Sequence, residues 1–192
     1  QKLLSLGLIA EDVWNDYYKF IIVRNSWDKA LSDYFWMINE LKVLDTFENY
    51  IMKSGKFKKR LTESENISYR GDHLIPQKEY FFLNGKEIQY DNILSFEYLG
   101  IEFQRLKKEL NLPNHFFNDK KKVAKRRSHY STFYTNGMIE LVKKTYYDDI
   151  EYLNFSFTDE RKYLDTLKSN FVQTVQNKFL SYKFYKKFGI YN

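Results

Sequence analysis

The sequence predicts an α/β fold in which a short parallel sheet is flanked by helices. Residues 19–23 (KFIIV) form a short β-branched apolar run, of the kind that a parallel sheet buries on both faces. A polar turn follows this run. After the turn, from about Trp27, apolar residues recur every three to four positions, which is the spacing of a helix with one buried face. Strand, turn and helix together are the basic unit of α/β proteins.

The elements around this unit follow from local signals. Residues 3–18 carry apolar positions at helical spacing and predict a short helix or two before the strand. Asn25 or Ser26 can cap the helix that follows the strand, because both side chains can accept a hydrogen bond from a free backbone N–H. The predicted buried stripe of that helix comprises Leu31, Phe35, Ile38, Leu41 and Leu44.

Residues 53–70 are charged and show no period, which predicts a mobile excursion or a substrate-facing loop. Residues 79–83 and 86–90 flank Asn84-Gly85 and predict a hairpin, because this dipeptide supplies the two positive φ angles of a tight turn. Residues 92–96 (NILSF) are a further strand candidate.

Three more helices are predicted along the second half of the chain. They cover residues 99–110, which end before Pro113, residues 135–147, and a long stretch from 158 to 188. We expect an α/β domain over residues 1–157 and a helical extension over residues 158–192. The extension would pack across the domain or against a partner subunit.

Composition excludes several classes of protein. With 192 residues, 43% of them hydrophobic, the chain can bury the core of one domain. It has no cysteine, which excludes disulfides and zinc–thiolate sites, and no apolar run long enough for a membrane-spanning helix. The net charge of +6 favours an anionic partner, and basic residues concentrate at 53–60 and 120–127.

Few residues carry a chemical signature. The three histidines lie far apart and form no i, i+4 pair, so we predict no metal site. No Gly-rich phosphate loop is present among the seven glycines. Acid pairs such as Asp148-Asp149, or Glu102 with Glu109, are expected to be solvated on helix surfaces, and we assign them no catalytic role.

The informative residues are Arg24 and Ser32. Arg24 follows the predicted strand directly, at the carboxyl end where ligands of open α/β sheets bind. The free N–H groups at the start of the next helix are expected to point toward the same end. Ser32 lies two turns into that helix and can add a hydroxyl donor. The alternative is purely structural: Arg24 caps the edge of a sheet and Ser32 packs in a helix interface.

Residues 18–36 (YKFIIVRNSWDKALSDYFW) resemble the 3′-phosphate-binding motif of sulfotransferases that use 3′-phosphoadenosine 5′-phosphosulfate (PAPS). That motif is a strand, Val-Arg-Asn-Pro-Trp-Asp-Arg, and a Ser eight residues after the first Arg. Residues 73–81, 93–103 and 146–157 are similar to later landmarks of the carbohydrate branch, sulfotransferase family 2, in the same order.

The resemblance implies a partial three-layer, P-loop-like sulfotransferase fold that transfers the sulfuryl group of PAPS to a hydroxyl of a carbohydrate or glycan acceptor. It implies that Arg24 and Ser32 hold the 3′-phosphate, since a guanidinium can bind two phosphate oxygens at once. The family's distal basic segment would fall on Arg126 and Arg127. It leaves the catalytic base unassigned.

The sequence departs from the family pattern in three places. Ser26 stands where the family has Pro, and Lys29 stands where it has Arg, but the turn and the charge are kept. The family's Lys-containing loop around the 5′-phosphosulfate should lie upstream of Gln1. We therefore expect a C-terminal portion of a sulfotransferase with little or no activity alone.

Two other functions stay open. A nucleic-acid-binding module would account for the pI of about 9.1, the basic runs, and the 17 Tyr and 17 Phe residues that could stack on bases. A non-catalytic scaffold would keep the fold and self-associate through residues 158–192. The residue usage and the lack of cysteine favour a bacterial or viral cytoplasmic protein, with the Golgi lumen as the alternative.

Overall fold

The structure is a computed structural model that describes residues 6–113, 115–117 and 129–161. Its internal contacts divide the chain into two compact units. The first comprises Gln1–Arg24 with Pro76–Asp119, and the second comprises Asn25–Ile75 with Lys120–Asn192.

The structure is mixed α/β, as predicted. In chain order the helices are α1 (Glu11–Asp16), α2 (Ser26–Leu41), α3 (Phe47–Ile51), α4 (Lys58–Thr62), α5 (Leu99–Glu109), α6 (Asn136–Thr145) and α7 (Tyr147–Tyr152). The strands are β1 (Phe20–Val23), β2 (Phe82–Leu83), β3 (Lys86–Glu87) and β4 (Asn92–Ser95). Short 3₁₀ turns cover Gly55–Phe57, Gly71–Leu74, Gln77–Phe81, Phe96–Tyr98 and Tyr130–Phe133.

The predicted parallel sheet is present in the first unit. Strands β1 and β4 pair in parallel, with Phe20 opposite Asn92 and Val23 opposite Ser95. The expectation that β1 is buried on both faces was wrong, because Phe20 and Ile22 are exposed. In the part of the chain that the structure describes, this sheet has two strands, so both are edge strands, and alternate side chains of β1 face solvent.

Side chains at the end of α5 tie this helix to the sheet. The Tyr18 hydroxyl donates to Oε1 of Glu109 at 2.6 Å, and Nη2 of Arg105 donates to Oδ1 of Asn92 at 2.6 Å. Arg105 also pairs with Glu102, at 3.0 Å, and with Glu109, at 3.7 Å. These two acids therefore serve as structural partners of Arg105.

The predicted hairpin is confirmed in the first unit. Strands β2 and β3 pair antiparallel, with Leu83 opposite Lys86. Both residues of the turn have positive φ, 52° at Asn84 and 77° at Gly85. Residues 79–81, predicted as part of the first strand, instead belong to a 3₁₀ turn, and residues 88–90, predicted as part of the second strand, lie beyond the end of β3.

The second unit is a helical layer around one aromatic-rich core. Helix α2 begins at its predicted cap, where Oδ1 of Asn25 accepts a hydrogen bond from the Trp27 N–H. The helix ends at Leu41, so Leu44 lies beyond it and is exposed. Fully or largely buried members of the core include Trp27, Leu31, Ile38, Phe47, Tyr50, Phe57, Leu61, Val142 and Tyr146.

The prediction of a mobile excursion over residues 53–70 was wrong. Helix α4 lies here, and Phe57 and Leu61, four residues apart, are buried in the core. Two apolar residues are too few to show a period among so many charges. The side chains of Lys56, Lys58 and Lys59 remain exposed.

The helix predicted over residues 135–147 is present as α6, capped by Thr135, whose Oγ1 accepts from the Met138 N–H at 3.2 Å. It breaks at Tyr146, and α7 follows. The expectation that Asp149 is solvated was wrong, because α7 turns this side chain inward and it is fully buried.

The predicted long terminal helix has no counterpart in residues 158–161, which are not helical. Residues 162–192 lie outside the described residues, so the rest of the helix and its self-association stay predictions. None of the helices in the described residues is long and apolar enough to cross a membrane.

Candidate functional site

Arg24 lies where the sequence predicts it, directly after β1 at the carboxyl end of the strand. A buried side chain, Gln77, fixes its backbone. The Arg24 N–H donates to Oε1 of Gln77 at 2.8 Å, and Nε2 of Gln77 donates to the Arg24 carbonyl at 2.8 Å. The guanidinium lies over the ring of Phe96, with its carbon 4.2 Å from the ring centroid.

Gln77 is a functional candidate that the sequence did not reveal. Its amide replaces a neighbouring strand at the point where the pairing of β1 with β4 ends, at Val23 and Ser95. Both backbone groups of Arg24 are thereby satisfied, so the residue is held in place as the chain leaves the sheet. Gln77 lies in residues 73–81, one of the segments similar to the sulfotransferase family. Nothing else in the sequence marked this residue.

The start of α2 is anchored within the second unit. Nδ2 of Asn25 donates to the Ser156 carbonyl at 2.8 Å, so the cap residue is itself held in place. Nε1 of Trp27 donates to the Ile139 carbonyl at 3.1 Å, and the Tyr134 hydroxyl donates to the Trp27 carbonyl at 2.7 Å. The first turn of the helix, whose N–H groups favour anions, is therefore rigidly oriented in this unit.

Ser32 is half-buried on α2, and the helical period places it on one face with Lys29, Asp33 and Trp36. Nζ of Lys29 donates to Oδ2 of Asp33 at 2.7 Å and to the His73 carbonyl at 2.8 Å. The His73 ring stacks on Trp36, with centroids 4.3 Å apart and planes 19° apart. The sequence assigned no role to these neighbours of Ser32.

Asp33 interacts with both charged or ionisable neighbours in this group, Lys29 and His73. Its Oδ1 lies 4.0 Å from Nδ1 of His73. Burial raises the pKa of Asp33, but the interaction with His73 and the charge and hydrogen bond of Lys29 outweigh burial and lower the pKa overall. The carboxylate therefore stays ionised at neutral pH.

The four predicted site residues fall in different places. Arg24 belongs to the first unit and Ser32 to the second. Arg126 and Arg127 lie outside the described residues. Within the described ranges, no group of three or more His, Cys, Asp or Glu side chains could hold a metal ion.

The first unit also contains an open cleft of about 720 Å³. It lies beside the amino ends of the parallel strands, where Asp91 accepts from the Lys19 N–H and Lys19 donates to nearby carbonyls. Ligands of parallel sheets bind at the opposite, carboxyl ends. The cleft walls include Ile9, Glu11, Trp14, Leu83, Lys86, Glu87 and Gln89.

Comparison with protein-family models, with curated proteins and with solved structures finds no match for this chain. The residues and their geometry are therefore the basis for any assignment of function.

Proposed function

We propose that this chain belongs to a PAPS-dependent sulfotransferase with a partial three-layer, P-loop-like fold. The whole protein would transfer a sulfuryl group to a carbohydrate hydroxyl. The observation that carries the proposal is the order of elements over residues 18–36. A parallel strand ends at Val23, Arg24 follows it, and a helix capped by Asn25 carries Ser32. This order is that of the family's 3′-phosphate motif.

The chemistry of these residues suits a 3′-phosphate. Arg24 can offer two N–H donors to two phosphate oxygens, and its backbone is already fixed by Gln77. Ser32 can donate from its hydroxyl, and the first turn of α2 favours negative charge. In the proposal, Arg126 and Arg127 supply further positive charge.

In the transfer reaction, the acceptor oxygen bonds to sulfur while the bond between sulfur and the 5′-phosphate oxygen breaks. The proton of the acceptor hydroxyl passes to a base, and 3′-phosphoadenosine 5′-phosphate leaves. The proposal assigns this chain the binding of the 3′-phosphate, which positions the donor. We expect little or no turnover by this chain alone, and ordinary turnover in a sulfate-transfer assay would contradict that expectation.

The first experiment is a thermal-shift titration with 3′-phosphoadenosine 5′-phosphate, run beside adenosine 5′-phosphate. A ligand that binds only the folded state stabilises it by about 2.7 kcal/mol at a hundredfold excess over its Kd. We expect stabilisation that requires the 3′-phosphate, is lost in Arg24→Ala and is weakened in Ser32→Ala.

Two further variants make this test specific. Arg24→Lys keeps the charge but not the two-donor geometry, so we expect intermediate affinity. Arg105→Ala removes another arginine of the first unit, one that pairs with Glu102 and Glu109, and should leave binding unchanged. Equal stabilisation by both nucleotides, or no stabilisation of the unaltered chain, would contradict the proposal.

The acceptor in this proposal is a glycan, and the exposed Lys56, Lys58 and Lys59 on and beside α4 would favour an acidic one. Nucleic-acid binding is the alternative, and it would draw on exposed rings such as Tyr98 and Tyr147. The rings of Tyr34, Phe47, Tyr50 and Phe57 instead pack on one another in the core. The proposal keeps a bacterial or viral cytoplasm as the compartment and the Golgi lumen as the alternative.

A further inference from the structure

Trp36 is a large aromatic side chain that stays open to solvent on a well-packed helix. One face of its indole is covered by His73, with the ring centroids 4.3 Å apart. The side chain is nevertheless 41% exposed, whereas Trp27 on the same helix is 3% exposed. The stack with His73 orients the indole and leaves a flat apolar surface facing solvent.

Charged groups border this aromatic surface. Asp33 and Lys29 form an ion pair of 2.7 Å, and both side chains are about one-fifth exposed, at 21% each. The lowered pKa of Asp33 keeps it as an acceptor at neutral pH. Lys29 can donate, and the imidazole of His73 adds a further polar edge. Together these groups form an aromatic platform with donors and acceptors at one side.

A pyranose ring matches both parts of this surface. One face of such a sugar presents C–H groups that pack on an aromatic ring, and its hydroxyls both donate and accept hydrogen bonds. A core packing role would bury Trp36, which is not observed. A nucleobase would also stack on the indole, but the paired Asp33 and Lys29 offer both an acceptor and a donor to sugar hydroxyls.

We propose that Trp36, His73, Asp33 and Lys29 form a pyranose-binding subsite on α2. The inference rests on the proposed function for its biological meaning, since it assigns the subsite to the acceptor sugar. Ser32, proposed for the 3′-phosphate, lies on the same helix face, four residues from Trp36. Four residues correspond to about 6 Å along a helix axis. The acceptor would therefore bind one helical turn from a donor-binding residue.

The test is ligand-observed NMR by saturation transfer, with the methyl glycosides of glucose, galactose and N-acetylglucosamine as probes. We expect binding of at least one glycoside, with the strongest signals from ring C–H protons on one face. Sorbitol, which has no ring, should give no signal. Trp36→Leu keeps an apolar side chain but removes the flat ring, and we expect it to weaken binding about tenfold.

Two control variants separate the subsite from the fold. Tyr147→Ala removes an aromatic side chain of the same unit that is 55% exposed, and it should bind sugar like the unaltered chain. His73→Phe keeps a ring stacked on Trp36 and should retain contact with the C–H face while losing polar contacts. Unaltered sugar binding in Trp36→Leu, or equal loss in Tyr147→Ala, would overturn the inference.

The nucleotide titration on the same samples keeps the two proposals distinguishable. Nucleotide binding without any glycoside binding would overturn the subsite and leave the sulfotransferase proposal standing. Glycoside binding that requires Trp36, in a chain that binds no nucleotide, would support the subsite as a sugar site and contradict the sulfotransferase proposal.

Discussion

Two tyrosine hydroxyls in the core of the second unit, those of Tyr50 and Tyr146, have no hydrogen-bond partner in the part of the chain that the structure describes. Both residues are buried. Burial is the main cause that raises the pKa of each, and the charge of Asp33 raises both further. An unpaired buried hydroxyl costs folding free energy, so these rings contribute through packing.

Removing these hydroxyls should therefore cost little. We expect Tyr50→Phe and Tyr146→Phe to leave the free energy of unfolding unchanged or to raise it slightly. The matched control is Tyr134→Phe, which loses the 2.7 Å hydrogen bond to the Trp27 carbonyl and should lower that free energy by about 1 kcal/mol. Urea denaturation measures all three. An equal loss in Tyr50→Phe would mean that its hydroxyl is satisfied in the folded protein.

Single residues could be predicted where their signal is local. Asn25 as a helix cap and Arg24 at the end of a strand follow from their immediate neighbours. Gln77 could not be predicted, because it bonds to a backbone 53 residues away. The stack of His73 on Trp36 likewise depends on the fold and leaves no periodic trace.

At the scale of elements, Asp45 joins the start of α3 to the turn that precedes α4. Its carboxylate accepts from the Lys56 N–H at 2.6 Å, from the Thr46 N–H at 2.8 Å and from Nδ2 of Asn49 at 2.7 Å. Gly55 makes this approach possible, because it has a φ of 55° and an added Cβ would lie 2.3 Å from Oδ2 of Asp45.

This junction should be sensitive to pH. Burial raises the pKa of Asp45, but its hydrogen bonds outweigh burial and lower the pKa below the ordinary value of 3.8. A carboxyl whose pKa is depressed by folding adds stability above its unfolded pKa and loses it as pH falls through the folded pKa. We expect Asp45→Asn to lower the free energy of unfolding by about 1–2 kcal/mol at pH 7.

The same variant should differ less from the unaltered chain below about pH 4, where Asp45 is protonated in the unfolded chain and then in the folded one. Chemical denaturation at several pH values measures the difference. A stability difference that is constant from pH 7 down to pH 3 would contradict this assignment. Asn39→Ala, at an exposed position on α2, serves as the control and should show no such pH dependence.

Elements could be predicted where one signal dominates. The hairpin followed from Asn84-Gly85, whose positive φ angles the structure confirms. Helix α4 could not, since Leu61 is its one buried residue and Phe57 belongs to the 3₁₀ turn before it, among many charges. The exposure of Phe20 and Ile22 in β1 depends on which segments pack on that face of the sheet, and a β-branched run carries no information about that packing.

At the scale of the whole molecule, the division into two units could not be predicted. The chain leaves the first unit after Arg24 and returns to it at Pro76. The first of these boundaries lies inside a strand, turn and helix motif, where no Gly-, Pro- or Ser-rich linker marks it. The fold class could be predicted from local patterns in the sequence. The division into two units could not, because it depends on contacts between distant segments.

The parallel pairing of β1 with β4 has a kinetic consequence. The paired residues Phe20 and Asn92 are 72 positions apart, so a long loop must close before the pair forms, at an entropic cost. Helices α2 and α3 are near neighbours in sequence and pack through Tyr34, Phe47 and Tyr50. We expect pulse-labelled hydrogen exchange during refolding to protect α2 before β1, and simultaneous protection would contradict this order. Arg24 would then reach its place by Gln77 among the last steps of folding, so a partly folded chain would lack the proposed phosphate ligand.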